Sequence, residues 1–215
     1  MDVNGKPLIY WSIFQAINSG VVDYVHVSTD CTEIAKEAIN SHAKCDFMRS
    51  PSLSGDRIGT TGAIYDCLKK LEVLGETFDY VIELQPTYCL RGTEIIKQCV
   101  EKLVQSEFAS LITVKKITNT GHPDYCLKAA DDGTAIFNKK RPDQFARQDL
   151  SARYSFHGVI LAGRVTNFLR YQSFYTDNCY LYEVSDSNRF LDIDNLDDYS
   201  IICDFVKKKP HYLIQ

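Results

Sequence analysis

The chain has 215 residues, 45% of them hydrophobic, and a formal net charge of −4, which suits one globular domain with a well-filled core. No basic stripe with interleaved aromatics appears, so nucleic acid is not expected as a partner, and no run approaches the about 20 apolar residues of a membrane helix. The opening Met1-Asp2-Val3-Asn4-Gly5 has neither the basic region nor the apolar core of a signal peptide.

Residues 6–19 carry Leu8, Ile9, Trp11, Ile13, Ala16 and Ile17 at mostly helical spacing, and Gly20 supplies the stop. Residues 24–28 read as a strand. Asp30 then caps a helix running to about His42, with Glu33 completing a capping box. Residues 46–48 read as another short strand, and a loop over residues 49–57 leads into a helix from Thr60 to Leu74.

The apolar run from Tyr80 to Leu84 reads as a short buried strand that stops at a polar elbow, Gln85-Pro86-Thr87. Pro86 has no N–H to donate and cannot continue a central ladder. In open α/β sheets, ligands bind just beyond the carboxyl ends of the strands. Gln85, Thr87 and Arg91 are therefore placed to meet a small polar substrate. Spacing alone also fits a strand followed by an ordinary polar loop.

A helix from Thr93 to Gln105 and a strand at Ser110–Lys116 continue the rhythm. The alternation predicts an α/β fold, a mostly parallel sheet with helices on both faces. After Lys116 the rhythm breaks. Residues 125–137 read as a hairpin around Asp131-Asp132-Gly133, and a polar stretch follows over residues 138–153. Such an excursion from the main sheet suits an oligomer arm. Strands return at residues 156–162 and 180–184, and a last helix spans residues 195–208. With no repeats and no linker, residues 1–215 read as a single domain.

The eight cysteines contain no C-x-x-C pair. In a chain of this length without a secretory signal they read as free thiols, which implies a cytoplasmic protein.

Asp192-Ile193-Asp194 closes an extended segment over residues 189–193. Residues i and i+2 of a strand share a face. Two carboxylates so placed repel unless a cation lies between them, and Mg²⁺ suits such a pair when phosphate oxygens complete its shell. The alternative is that Asp194 simply caps the following helix.

Five segments occur in order: Gly5-Lys6-Pro7-Leu8-Ile9; the run from Val27 to Ala35; Leu84-Gln85-Pro86-Thr87-x-x-Leu90-Arg91; Arg147-Gln148-Asp149-Leu150; and Asp192-Ile193-Asp194. Together they resemble the acylneuraminate cytidylyltransferases, the CMP-sialic acid synthetases, over essentially the whole chain. The resemblance implies a Rossmann-like fold and a homodimer built through a small β-rich arm, here at about residues 119–155. It implies Mg²⁺-dependent transfer of CMP from CTP to a nine-carbon sugar acid, with pyrophosphate leaving. It assigns Arg49, Thr60 and the backbone of Ile58 to the nucleotide. Gln85, Arg147, Phe174 and Tyr175 go to the sugar, and Asp192 and Asp194 to the metal and catalysis.

The family pattern opens with a central strand and a Gly/Arg/Lys-rich phosphate loop, whereas this sequence begins just after them. The neighbours of such a strand would be left with unpaired backbone groups. Three readings follow: a start set too late or a trimmed chain, a decayed or repurposed copy, or a strand supplied by another chain. The first is favoured because the other site residues are in place. The second would leave a remnant that binds sugar or nucleotide without catalysis. The family's R-P-N-G is replaced by Ser155-Phe156-His157-Gly158, which puts the sugar in question and brings in pseudaminic, legionaminic and Kdo-type acids. His157 either takes over the hydrogen-bonding role of the asparagine or is a half-buried structural histidine. A dinucleotide-dependent oxidoreductase is set aside, because no G-x-G-x-x-G opens a helix.

Overall fold

A computed structural model describes residues 1–55, 58–117, 121–137 and 150–214. A two-residue ladder, β1 (Asp2–Val3) with β2 (Lys6–Pro7), leads into α1 (Leu8–Asn18). The helix starts at Leu8, later than residue 6, because Lys6 and Pro7 are taken up by that ladder. Gly20, at φ +71°, ends the segment as its sequence implies. α2 (Thr32–Asn40) follows, then α3 (Thr60–Val73).

The main sheet is built from β3 (Tyr80–Glu83), β4 (Ser110–Lys116), β7 (Tyr154–Arg164) and β8 (Cys179–Glu183), in the order β3-β7-β4-β8. β4 and β8 are parallel, and β7 runs antiparallel to both β3 and β4. So β3, β4 and β8 point one way and β7 alone points back. Between them lie α4 (Thr93–Val104), α5 (Val165–Tyr171) and a hairpin of β5 (Leu127–Ala129) with β6 (Ala135–Phe137). The hairpin turns at Gly133, φ +83°.

Strand periodicity sorts the core into two layers. Leu111, Ile160 and Ala162 pack against Ile96, Cys99 and Leu103 of α4 on one face. Ile112, Val114 and Leu161 pack against Leu68 of α3 and Phe168 of α5 on the other. This is the helix–sheet–helix arrangement the alternation predicts. α6 (Leu196–Lys208) joins Trp11, Leu90 and Ile193 in a third cluster. Asn195 caps α6 in a full capping box with Asp198. Asn195→Ala is therefore expected to cost about 1 kcal/mol, a fall of roughly 2–4 °C in melting temperature, readable by thermal denaturation.

Several local expectations give way to longer-range partners. Residues 24–28 do not join the main sheet; they form one parallel bridge, His26 to Lys44. The pairing falls on Lys44, so residues 46–48 are not a strand. Asp30 does not cap α2, whose N-cap is Cys31 without a side-chain bond. Asp30 instead meets Arg49 at 3.3 Å. Residues 187–190 form a 3₁₀ turn, so the extended segment is shorter than residues 189–193 suggest. α5 has no counterpart in the sequence reading. Among the described residues no disulfide forms, and no helix is long and apolar enough to cross a membrane.

Candidate active site at the carboxyl rim of the sheet

Because β3, β4 and β8 share a direction, their carboxyl ends share one rim. The elbow after β3 and the segment after β8 both emerge there. β7, running the other way, begins at that rim.

β7 carries an irregularity where it matters. Its register against β4 shifts between Ile112 and Val114, leaving residues 157–160 as a bulge. Bulges re-aim strand residues and often sit beside active sites. Thr113, fully buried, fills this one. Its Oγ1 accepts the Ile160 N–H at 3.1 Å and lies 3.1 and 3.2 Å from the carbonyls of His157 and Ile160.

The bulge brings Gly158 against the elbow. A Cβ built there would lie 2.7 Å from Gln85 Oε1 and 3.2 Å from Tyr88 Cε2. Gly158 is thus glycine because Gln85 and Tyr88 occupy the space a side chain would take. Gly158→Ala is expected to displace Gln85 and raise the KM for its ligand about tenfold or more, with a near-unchanged melting temperature. Steady-state kinetics alongside thermal denaturation check this.

Tyr88 connects the elbow to the acidic pair. Its phenol interacts with the Asp192 carboxylate and with the Gly158 backbone. Burial, then Asp192, pushes the Tyr88 phenol up to about 12, so it stays protonated and acts as a donor. Half-buried Asp192 and exposed Asp194 flank the buried Ile193, and Asp192 Oδ1 also accepts the Ile193 N–H at 3.0 Å. Asn195 caps α6, so the role of helix cap does not fall to Asp194. The His157 ring packs against Phe190 at a tilt, centroids 4.5 Å apart, and meets Ser155 Oγ at 3.3 Å. Burial holds its pKa down, Lys115 adds to this, and Asp192 opposes it.

Arg91, expected to face a substrate, is fully buried. Its Nε donates to Val159 O at 2.6 Å, Nη1 to Ser12 Oγ at 3.1 Å and Nη2 to Gln85 O at 2.6 Å. It therefore braces the elbow against β7 and α1 from below. Of the aromatic pair, Phe174 is buried in the core, 4.7 Å from Phe168. Tyr175 is 52% exposed and meets Phe156 edge-on. Arg147 lies outside the described residues.

Of the three residues assigned to a nucleotide, Arg49 and Ile58 precede α3 and Thr60 opens it. Arg49 bonds Ser54 Oγ at 3.1 Å and Asp30 at 3.3 Å. The Ile58 N–H bonds Gly55 O at 2.9 Å, and Thr60 is the exposed first residue of α3. The structure thus gathers Gln85, Tyr88, Gly158, His157 and Asp192 at the rim, and places Arg49 and Ile58 ahead of α3 with Thr60 at its start. Tyr88 and Gly158 escape the sequence reading because their value lies in contacts across the fold.

No cluster of three or more His, Cys, Asp or Glu side chains suited to a metal occurs among the described residues. An ion at the rim would thus have two protein carboxylates and would fill its shell from substrate and water. Mg²⁺ binds in this way, so Asp192 and Asp194 fit it.

One other grouping resembles a catalytic triad: Cys67 Sγ lies 3.3 Å from His26 Nδ1, and His26 Nε2 lies 3.9 Å from Asp46 Oδ2. The Asp46 N–H donates to Nε2, which leaves the proton on Nδ1, facing sulfur. Burial pushes the Cys67 thiol up to about 12. This histidine cannot take the thiol proton, and the group is structural.

The cytidylyltransferase family profile matches residues 1–205. The chain belongs to the cytidylyltransferase family. It is 28% identical over 198 residues to the pseudaminic acid cytidylyltransferase of Campylobacter jejuni strain 81-176, covering 92% of this chain and 84% of that one. It is 30% identical over 199 residues to the N-acylneuraminate cytidylyltransferase of Streptococcus agalactiae serotype V, covering 92% of this chain and 46% of that longer one. The CMP-N,N'-diacetyllegionaminic acid synthase of Legionella pneumophila is 26% identical over 201 residues, covering 92% and 84% of the two chains. Among solved structures, a CMP:2-keto-3-deoxy-manno-octonic acid synthetase complexed with CTP aligns at a TM-score of 0.70 with 14% identity, over 97% of this chain and 91% of that one. The 4-diphosphocytidyl-2C-methyl-D-erythritol synthase of Anaerococcus prevotii aligns at 0.67 with 13% identity, over 96% and 92%. These likenesses support the Rossmann-like α/β fold of a nucleotidyltransferase.

Proposed function

We propose that this protein transfers CMP from CTP to a sialic-type sugar acid and releases pyrophosphate. One observation carries the reading: in a cytidylyltransferase chain, the elbow glutamine and the acidic pair meet at one rim, joined through Tyr88 and Gly158. Gln85 and Tyr175 bind and orient the sugar, with Arg147 assigned alongside them. Arg49, the Ile58 backbone and Thr60 bind the nucleotide. Asp192 and Asp194 hold Mg²⁺, which when bound neutralises charge developing on the phosphates. Phe174 contributes from the core, fixing the turn that presents Tyr175.

Residues 1–215 form one domain, with an arm at about 119–155 that pairs two copies into a homodimer. The exposed Leu127, Ile136 and Phe137 of the hairpin support that arm. Eight cysteines with no disulfide among the described residues suit the reducing cytoplasm.

The test is transfer of labelled CMP from CTP, with Mg²⁺, to neuraminic, pseudaminic, legionaminic and Kdo-type acids in competition. A CMP-sugar formed with one of them supports the reading, and no product with any of them overturns it. The three sugar-specific relatives are similar to this chain at 26–30% identity, so the competition selects the sugar.

A further inference from the structure

We infer that Glu83 determines which sugar is accepted, by reading a neutral N–H or O–H donor on the sugar; this rests on the sugar-activating reading above. Glu83 is the last residue of β3, and period 2 puts it on the same face as Val81 and Gln85. Val81 packs into the core there, so a carboxylate follows on an otherwise apolar strand face.

Two features of Glu83 point to a ligand. Its Oε1 accepts the Gln85 Nε2–H at 3.2 Å. That bond uses the donor end of the Gln85 amide and turns its Oε1 toward the place of the missing Gly158 Cβ, 2.7 Å away. The second oxygen, Oε2, is buried with no hydrogen-bond partner in the described structure. A buried carboxylate oxygen without a donor is costly, and one at a rim of this kind calls for an explanation.

The neighbours do not supply the donor. The Arg91 guanidinium feels the charge of Glu83, but its hydrogen bonds go to Val159, Ser12 and Gln85. Burial, then the charge of Glu83, raises the Tyr175 phenol, so the two side chains lie within electrostatic reach of each other. Glu83 Oε2 is thus a carboxylate acceptor beside the elbow, while Gln85 Oε1 packs against Gly158. Such an oxygen repels the carboxylate of a sugar acid and attracts its neutral donors. An acylamino N–H or a ring hydroxyl fits.

Three nine-carbon sugar acids differing at one carbon separate the possibilities: one with an acetamido group, one with a hydroxyl, and one with neither. The protein should favour the two donor-bearing acids by about ten- to hundredfold in kcat/KM, the range of a charge-assisted hydrogen bond. Glu83→Leu should erase that preference and leave the KM for CTP unchanged. Glu83→Gln should retain part of it. A preference that survives Glu83→Leu overturns the inference. If the protein transfers CMP to none of the acids, the activity reading fails on its own. Calorimetric binding of the same three acids to the protein and to Glu83→Leu then decides: a donor preference lost in the variant supports the inference, and equal or absent binding overturns it.

Discussion

Replacing Arg91 by methionine is expected to lower stability by about 3–5 kcal/mol, read as a fall in the urea midpoint at unchanged slope. The side chain is fully buried and serves three acceptors from three elements: Ser12 of α1, the Gln85 carbonyl of the elbow and the Val159 carbonyl of β7. Methionine fills much of the volume, so the loss reports the hydrogen bonds and not a cavity. The Val159 carbonyl loses its guanidinium donor, at about 1–3 kcal/mol, while the Gln85 carbonyl keeps the Tyr88 N–H at 3.3 Å. Burial holds the Arg91 pKa down to about 10, yet the group keeps its charge at neutral pH. Folded and unfolded states then bind the same proton below about pH 10, and the loss should be flat with pH through the neutral range. Arg91→Lys keeps a cation but not the planar fork, so it should fall between the two. A methionine variant as stable as the parent would show that the guanidinium does not hold the elbow to β7.

Much of the architecture is legible in local pattern, and the exceptions share a cause. The stretch from Leu111 to Val114 alternates between two buried faces, and the sequence shows that without help. α5 is short and directly follows β7, so its Val165, Phe168 and Leu169 spacing merges with strand residues. Asp30 and Glu33 have the spacing of a capping box, but Arg49 competes for Asp30 from another loop. Arg91 reads as a substrate arginine because its acceptors at Ser12 and Val159 are remote in sequence. The rim position of Asp192 and Asp194 is readable because Ile193 between them is apolar and buried. The Tyr88 contact with Asp192 is not readable, since only the fold makes these two residues neighbours. Local chemistry therefore finds groups that act by themselves, and the structure finds those that hold them.

Asp192→Asn and Asp194→Asn are each expected to lower kcat for CMP transfer by about a hundred- to a thousandfold, the scale of removing one preorganised electrostatic contact. The physical ground is the pair itself. A half-buried carboxylate, Asp192, and an exposed one, Asp194, flank a buried isoleucine close to two further acids, Asp197 and Asp198. That density of charge costs stability unless a cation or a donor offsets it. Tyr88 supplies one donor, to Asp192. Asn195 draws Asp198 into the capping box. Asp194 is left with its charge facing outward, and Mg²⁺ is the natural offset. Removing one carboxylate should therefore leave the unfolding free energy within about 1 kcal/mol of the parent, since like-charge repulsion falls as the ion is lost. The Mg²⁺ concentration for half-maximal rate should rise in both variants. Asp192→Asn should shift further, because it also loosens the Tyr88 link to the elbow and so disturbs Gln85. The double variant should be little worse than either single, because the two carboxylates act as one unit. Full activity in Asp192→Asn at unchanged Mg²⁺ dependence would separate the acidic pair from the chemistry and leave it a purely structural role at the start of α6.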